Sequence, residues 1–235
     1  MTDRLFSLVC TLGVKYSSQH AGLYTSLLEF ARDAAGKALV QGNKTVDECQ
    51  AFLLIAVYQA PKKRWEDQRG WLHMGIAFSL AQELKLNEPI TPAAFANTAE
   101  GRGLDQETVE RMCLNRIRTW LNCYCVDASH ATQFGKPAML AVEDFTARSC
   151  RGWYRLSPYN LSTDVHLVAY VEILRVMRHF RLEVEALEID EKENPKRPKR
   201  VKEVLQIVDR YNSELLSLQK EWSNRFAIHP SRAGV

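Results

Sequence analysis

Among the side chains able to do chemistry, four lie near one another in the chain: Cys113, Cys123, Cys125 and His130. A structural zinc site needs four such ligands converging on one tetrahedral centre. The surrounding spacing is helical, and on a helix positions 123 and 125 point about 200° apart, so they cannot both face one ion. Buried thiols are expected there, and no metal site. Cys10 and Cys49 also sit in apolar helical patterns and read as reduced thiols rather than a disulfide framework. Cys150 precedes a loop tryptophan and could stand exposed, but a cysteine nucleophile needs a base and none is assigned to it.

Other catalytic signatures are missing. His20, His73, His130, His166, His179 and His229 are scattered. Gly135-Lys136-Pro137 lacks the glycine spacing and the Ser/Thr of a phosphate loop. There is no HExxH, GxSxG or kinase set, and no paired aspartates to hold magnesium. The expectation is a protein that is not an enzyme, with no catalytic residue and no cofactor in this chain.

The elements around these residues are helical by their spacing. Of 235 residues, 46% are apolar and 25% charged, with a net charge of +3. That balance fits a globular domain and is too mild for nucleic-acid binding over the whole surface. No stretch approaches the ~18 uninterrupted apolar residues of a membrane span, and no signal peptide opens the sequence. Apolar residues recur three and four apart over residues 3–19, 22–40, 49–59, 66–86, 106–131, 163–187 and 199–226, with a short helix starting at Thr91-Pro92. Gly42-Asn43 should stop the second helix in a left-handed turn. Thr45-Val46-Asp47-Glu48 should form a reciprocal capping box. The spacing predicts an all-α, irregular array of about seven to nine helices. Residues 132–162 are expected to be an irregular loop, 190–200 a basic, proline-containing linker, and the chain a single domain over 1–235.

Two further features invite functional readings. Lys196, Arg197, Lys199, Arg200 and Lys202 are a candidate nuclear-import signal, the plainer reading being a solvated linker. Val201, Val204, Val208, Tyr211, Leu215, Leu218 and Trp222 form a heptad seam that either lies on its own domain or meets a dimer partner.

Three ordered stretches carry a resemblance. They are Thr45 to Tyr58 (TVDECQAFLLIAVY), then Arg69 to Ala77 (RGWLHMGIA) continuing through Leu80 to Leu84, then Asn115 to Leu121 (NRIRTWL) with Cys125-Val126-Asp127 and Gln133 to Pro137. Trp153-Tyr154, Ser157 to Asn160 and Asp164 to Leu167 continue the pattern. The set resembles the middle homology region of fungal binuclear zinc-cluster transcription factors, over roughly Leu5 to Trp222. Gln50, Gly75, Arg118, Asp127, Gly135 and Pro137 are the structural residues of that motif. Gly75 should admit a close neighbouring helix, and Arg116 or Arg118 should pair with Asp127 or with a carboxylate on another helix. This sequence departs from the pattern at Ser79 and Ala128, where a basic residue is frequent, and at Lys85, where a glycine is frequent.

The resemblance implies a regulatory, effector-sensing and interaction domain, controlling activation of RNA polymerase II transcription in the nucleus, with shuttling to the cytoplasm. The alternative is a helical interaction or dimerisation scaffold without a small-molecule ligand. Trp71, His73, Trp120, Tyr124 and His130 would suit a small hydrophobic effector and would equally suit a core. A homodimer or a transcriptional co-regulator is the expected partner. The zinc-cluster DNA-binding segment is not in this sequence. Zinc and DNA contact are therefore expected only of an upstream segment, and no membrane contact is expected.

Overall fold

The computed structural model describes residues 2–58, 70–140, 145–193 and 201–228. Among them it is all-α, with nine helices: α1 (Asp3–Lys15), α2 (Tyr24–Val40), α3 (Val46–Val57), α4 (Gly70–Glu83), α5 (Pro92–Ala96), α6 (Gln106–Phe134), α7 (Phe145–Ser149), α8 (Asp164–Glu193) and α9 (Val201–Ile228). Short 3₁₀ turns occupy Ala21–Leu23 and Cys150–Arg155. No helix among the described residues is long and apolar enough to cross a membrane. The chain divides into two compact units, Met1–Cys123 and Tyr124–Val235, and α6 contributes residues to each.

In the first unit, α1 packs on α2 and α3 on α4. Alanines at 31, 35 and 38 line the buried face of α2, small enough for close packing beneath Leu5 and Leu8 of the same core. Eight of the twelve residues of α3 are buried, as its nearly continuous apolar run requires. The helix ends follow local chemistry. Thr45 Oγ1 accepts the Glu48 N–H at 3.2 Å, and Thr91 Oγ1 accepts that of Ala94 at 3.2 Å, with Pro92 at the first helical position. Gly42, at φ +73°, closes α2: the N–H of Asn43 reaches Ala38 O and that of Gly42 reaches Leu39 O, both at 3.0 Å.

The same closure recurs at the end of α4 without a glycine. The Leu86 N–H donates to Ala81 O and that of Lys85 to Gln82 O, both at 2.9 Å, and Lys85 takes φ +52°. Further on, Gly101 lies under α5, where an added Cβ would stand 2.2 Å from Phe95 O.

The capping box is only half made. Thr45 plays its part, but the Glu48 carboxylate turns to the Arg4 guanidinium on α1 instead of back to its own helix start. Asp47 meanwhile accepts the N–H of Thr2. Two acidic residues at the start of α3 thus hold the start of α1, and ion pairing with a distant arginine displaces the local bond.

In the second unit, α8 packs on α9 and on the 3₁₀ turn at Cys150–Arg155. Val165, Val168, Val171, Leu174 and Val176 are buried on α8, and Ile207, Leu218 and Trp222 on α9. Asp164 starts α8, accepting from the Leu161 N–H at 2.9 Å and the Asn160 side chain at 3.0 Å. The stretch expected to be irregular, 132–162, is partly regular: α6 runs to Phe134, and α7 and the 3₁₀ turn follow. Those elements are five and six residues long, too short for helical periodicity to reveal.

Candidate functional site

Cys49 and Gln50, adjacent on α3, face the polar and thiol side chains of the first unit. Gln50 Nε2 donates to Thr119 Oγ1 at 2.7 Å and to Asn115 Oδ1 at 3.1 Å, joining α3 to α6. Thr119 in turn donates to Asn115 O at 2.8 Å. Cys49 Sγ donates to Ala77 O of α4 at 3.2 Å and lies 3.9 Å from Cys123 Sγ of α6. The two Gln50 bonds explain why a polar residue interrupts the apolar run of α3.

Gly75 behaves differently from expectation. A Cβ built there meets nothing within 4 Å among the described residues, so no close approach of a described helix depends on it. The tight α3–α4 contact lies two residues on, at Ala77, which is fully buried. The expected pairing of Arg116 or Arg118 with Asp127 is not how Asp127 is used. Arg116 donates to Leu84 O at 2.6 Å, approaches Glu100 at 3.8 Å and stacks over Phe95 at 5.9 Å, all in the first unit. Arg118 is half-buried on α6.

Asp127 belongs to the second unit and is buried. Its Oδ1 accepts the Met139 N–H at 2.8 Å and its Oδ2 that of Leu140 at 2.9 Å. Arg178 of α8 donates to Leu140 O at 2.9 Å, and Arg181, one turn on, to Lys136 O at 2.9 Å. The turn after α6, which Gly135 enters at φ +60° and which carries an exposed Pro137, is therefore clamped from both sides. Carboxylate bonds to paired backbone donors are among the stronger hydrogen bonds available.

The candidate effector residues fall in both units. Trp71 and His73 are half-buried on α4, and the His73 ring lies 6.4 Å from that of Phe52. Trp120 is buried on α6 within the first unit. Tyr124, also buried, and His130 belong to the second. His130 Nδ1 is 2.9 Å from Val126 O, and its ring is 5.5 Å from that of Phe134.

Among the described residues no three His, Cys, Asp or Glu side chains gather as a metal site would need. Cys150 is buried, not exposed, because it falls in the 3₁₀ turn with its Sγ bonded to Ala147 O at 3.2 Å. Burial pushes the Cys125 thiol well above the ordinary thiol range, with Cys150 adding to the shift.

Along the α9 seam, exposure falls from 58% at Val201 to 2% at Trp222. Tyr211 meets Phe180 of α8 edge-on at 5.6 Å and donates to Glu183 at 3.0 Å, while Trp222 lies 6.0 Å from Tyr154. Val204, Val208 and Leu215 are half-buried and Leu218 is buried. Arg151 joins the same region, bonding Glu172 of α8 at 3.2 Å and also Glu221 of α9. The hydrogen bond from Arg151 holds the Glu221 carboxyl below its ordinary value, and Glu221 raises Arg151 in return. Lys202 is exposed in the first turn of α9. Lys196, Arg197, Lys199 and Arg200 lie outside the described residues.

Spacing alone did not single out Arg4, Arg151 or Arg178, whose partners are distant in sequence. The signal available for Arg178 was its place on α8 one turn after buried Leu174 and two turns after buried Val171, where a charge needs a fixed acceptor.

A family model described as the fungal specific transcription factor domain matches residues 4–148. No curated protein and no solved structure matched the chain.

Proposed function

This chain belongs to the family of fungal specific transcription factor domains, and from that premise we propose that it senses an effector and tunes the activation of RNA polymerase II transcription in the nucleus. The observation that carries the reading is the family match, which spans more than half of the chain. The family supports a regulator rather than a catalyst. Mechanistically, an effector acts by binding one arrangement of the helices better than another, and shifts the population by that difference in affinity alone. Of the candidate effector residues, Trp71, His73 and Trp120 lie within one unit, and these three are the ones proposed to contact it. A nuclear address is assigned to Lys196, Arg197, Lys199, Arg200 and Lys202.

A scaffold that binds a protein partner without a ligand is the second reading. Phe6, Tyr16, Phe30 and Val40 favour it, since these large apolar side chains are exposed on α1, α2 and the turn between them. The deciding experiment is thermal unfolding of the purified chain against a panel of metabolites and xenobiotics, with mass by light scattering. A ligand at a hundred times its dissociation constant adds about 2.7 kcal/mol, which is readily seen. No shift across the panel, together with a dimeric mass, replaces effector sensing with the scaffold.

A further inference from the structure

We infer that Cys49 and Cys123 form an oxidation-responsive pair whose disulfide staples α3 to α6. Their sulfurs lie 3.9 Å apart and both side chains are fully buried. A disulfide places the sulfurs ~2.05 Å apart, so closing the bond asks them to approach by about 1.9 Å. The neighbouring residues keep the thiols opposed. Gln50, next to Cys49, is bonded to Thr119, one turn before Cys123, so α3 and α6 are in register at this point. Cys49 also donates its S–H to Ala77 O at 3.2 Å, which holds its sulfur at the seam.

With hydrogen peroxide as oxidant, the thiolate of one of the two cysteines attacks the O–O bond. An S–O bond forms, the O–O bond breaks, and water leaves. The sulfur of the other cysteine then attacks the sulfenic sulfur. The S–S bond forms, the S–O bond breaks, and a second water carries off the remaining thiol proton. Two thiols are oxidised and one hydrogen peroxide is reduced to two waters. Because neither sulfur is exposed, the peroxide reaches them only when the α3–α6 seam opens. The crosslink therefore records opening and then locks the seam shut. This inference stands apart from the function proposed above.

The test treats the full chain with hydrogen peroxide, removes the peroxide, unfolds the chain in denaturant with an alkylating agent to block remaining thiols, and maps peptides without reduction. The expected product is a Cys49–Cys123 linked peptide lighter by two hydrogens, reversed by dithiothreitol, with a raised thermal midpoint while oxidised. Gln50→Leu should speed its formation several-fold by loosening the seam. The inference is overturned if both thiols are still alkylated after exposed Cys10 is fully oxidised, or if the linkage found joins Cys125 to Cys150. The mapping is read on the unaltered chain, so no outcome depends on a variant that fails to fold.

Discussion

Asp127 and Arg178 grip the same peptide residue from opposite sides: the carboxylate accepts the N–H of Leu140 and the guanidinium donates to its carbonyl, each at 2.9 Å. Each buried charge thus finds its counter-dipole in the backbone and not only in another side chain. Asp127→Ala leaves the buried amide of Leu140 and the half-buried amide of Met139 without their acceptors, and should cost about 3 kcal/mol. Urea unfolding measures the loss. A double-mutant cycle with Arg178→Ala should be non-additive, and additive losses would mean that the peptide does not couple the two.

Gln50 is the corresponding junction of the first unit. Gln50→Leu keeps the apolar character of α3 but removes both bonds to α6, and should cost about 1–2 kcal/mol. An unchanged denaturant midpoint would show that Asn115 and Thr119 satisfy one another without it.

Lys85 occupies a backbone conformation that favours glycine, and the resembled family frequently has glycine at this position. Relief of the left-handed strain outweighs the greater freedom of glycine in the unfolded chain, so Lys85→Gly should stabilise by about 0.5 kcal/mol. The readout is a higher thermal midpoint with unchanged helix content. Lys85→Ala keeps the strain and serves as the control.

The link from Arg151 to Glu221 gives stability a pH signature. The folded pKa of Glu221 is held below its ordinary value of 4.5, so its contribution is complete above that value. It is lost as the pH falls through the depressed folded pKa. Glu221→Gln should therefore unfold at a lower temperature than the parent near pH 7, and the two should converge as the pH falls below the depressed folded pKa. A constant gap across that range would place the stabilisation in packing rather than charge.

The helices were legible because local rules agree with the fold: Pro92 opens a helix, Gly42 closes one, and the apolar spacing of α8 and α9 marks their buried faces. Misreadings came where a distant group outbid a local one. Glu48 had a capping partner three residues away and took Arg4, forty-four residues back. Asp127 had arginines on its own helix and took two backbone amides beyond its end. Gly75 looked like a packing glycine, yet the buried approach is at Ala77, and the position suited to glycine is held by Lys85. The five effector candidates share aromatic or imidazole chemistry, which a core and a ligand site use alike, so residue type alone could not separate the two roles.

Cys10 is exposed and the other five cysteines are buried. The molecule therefore carries its own gauge of integrity. A colorimetric thiol reagent should titrate a single group at once in the native protein and the full set only after denaturant. Any fractional count between those limits is a direct assay of how much of a preparation has come apart, with no label attached.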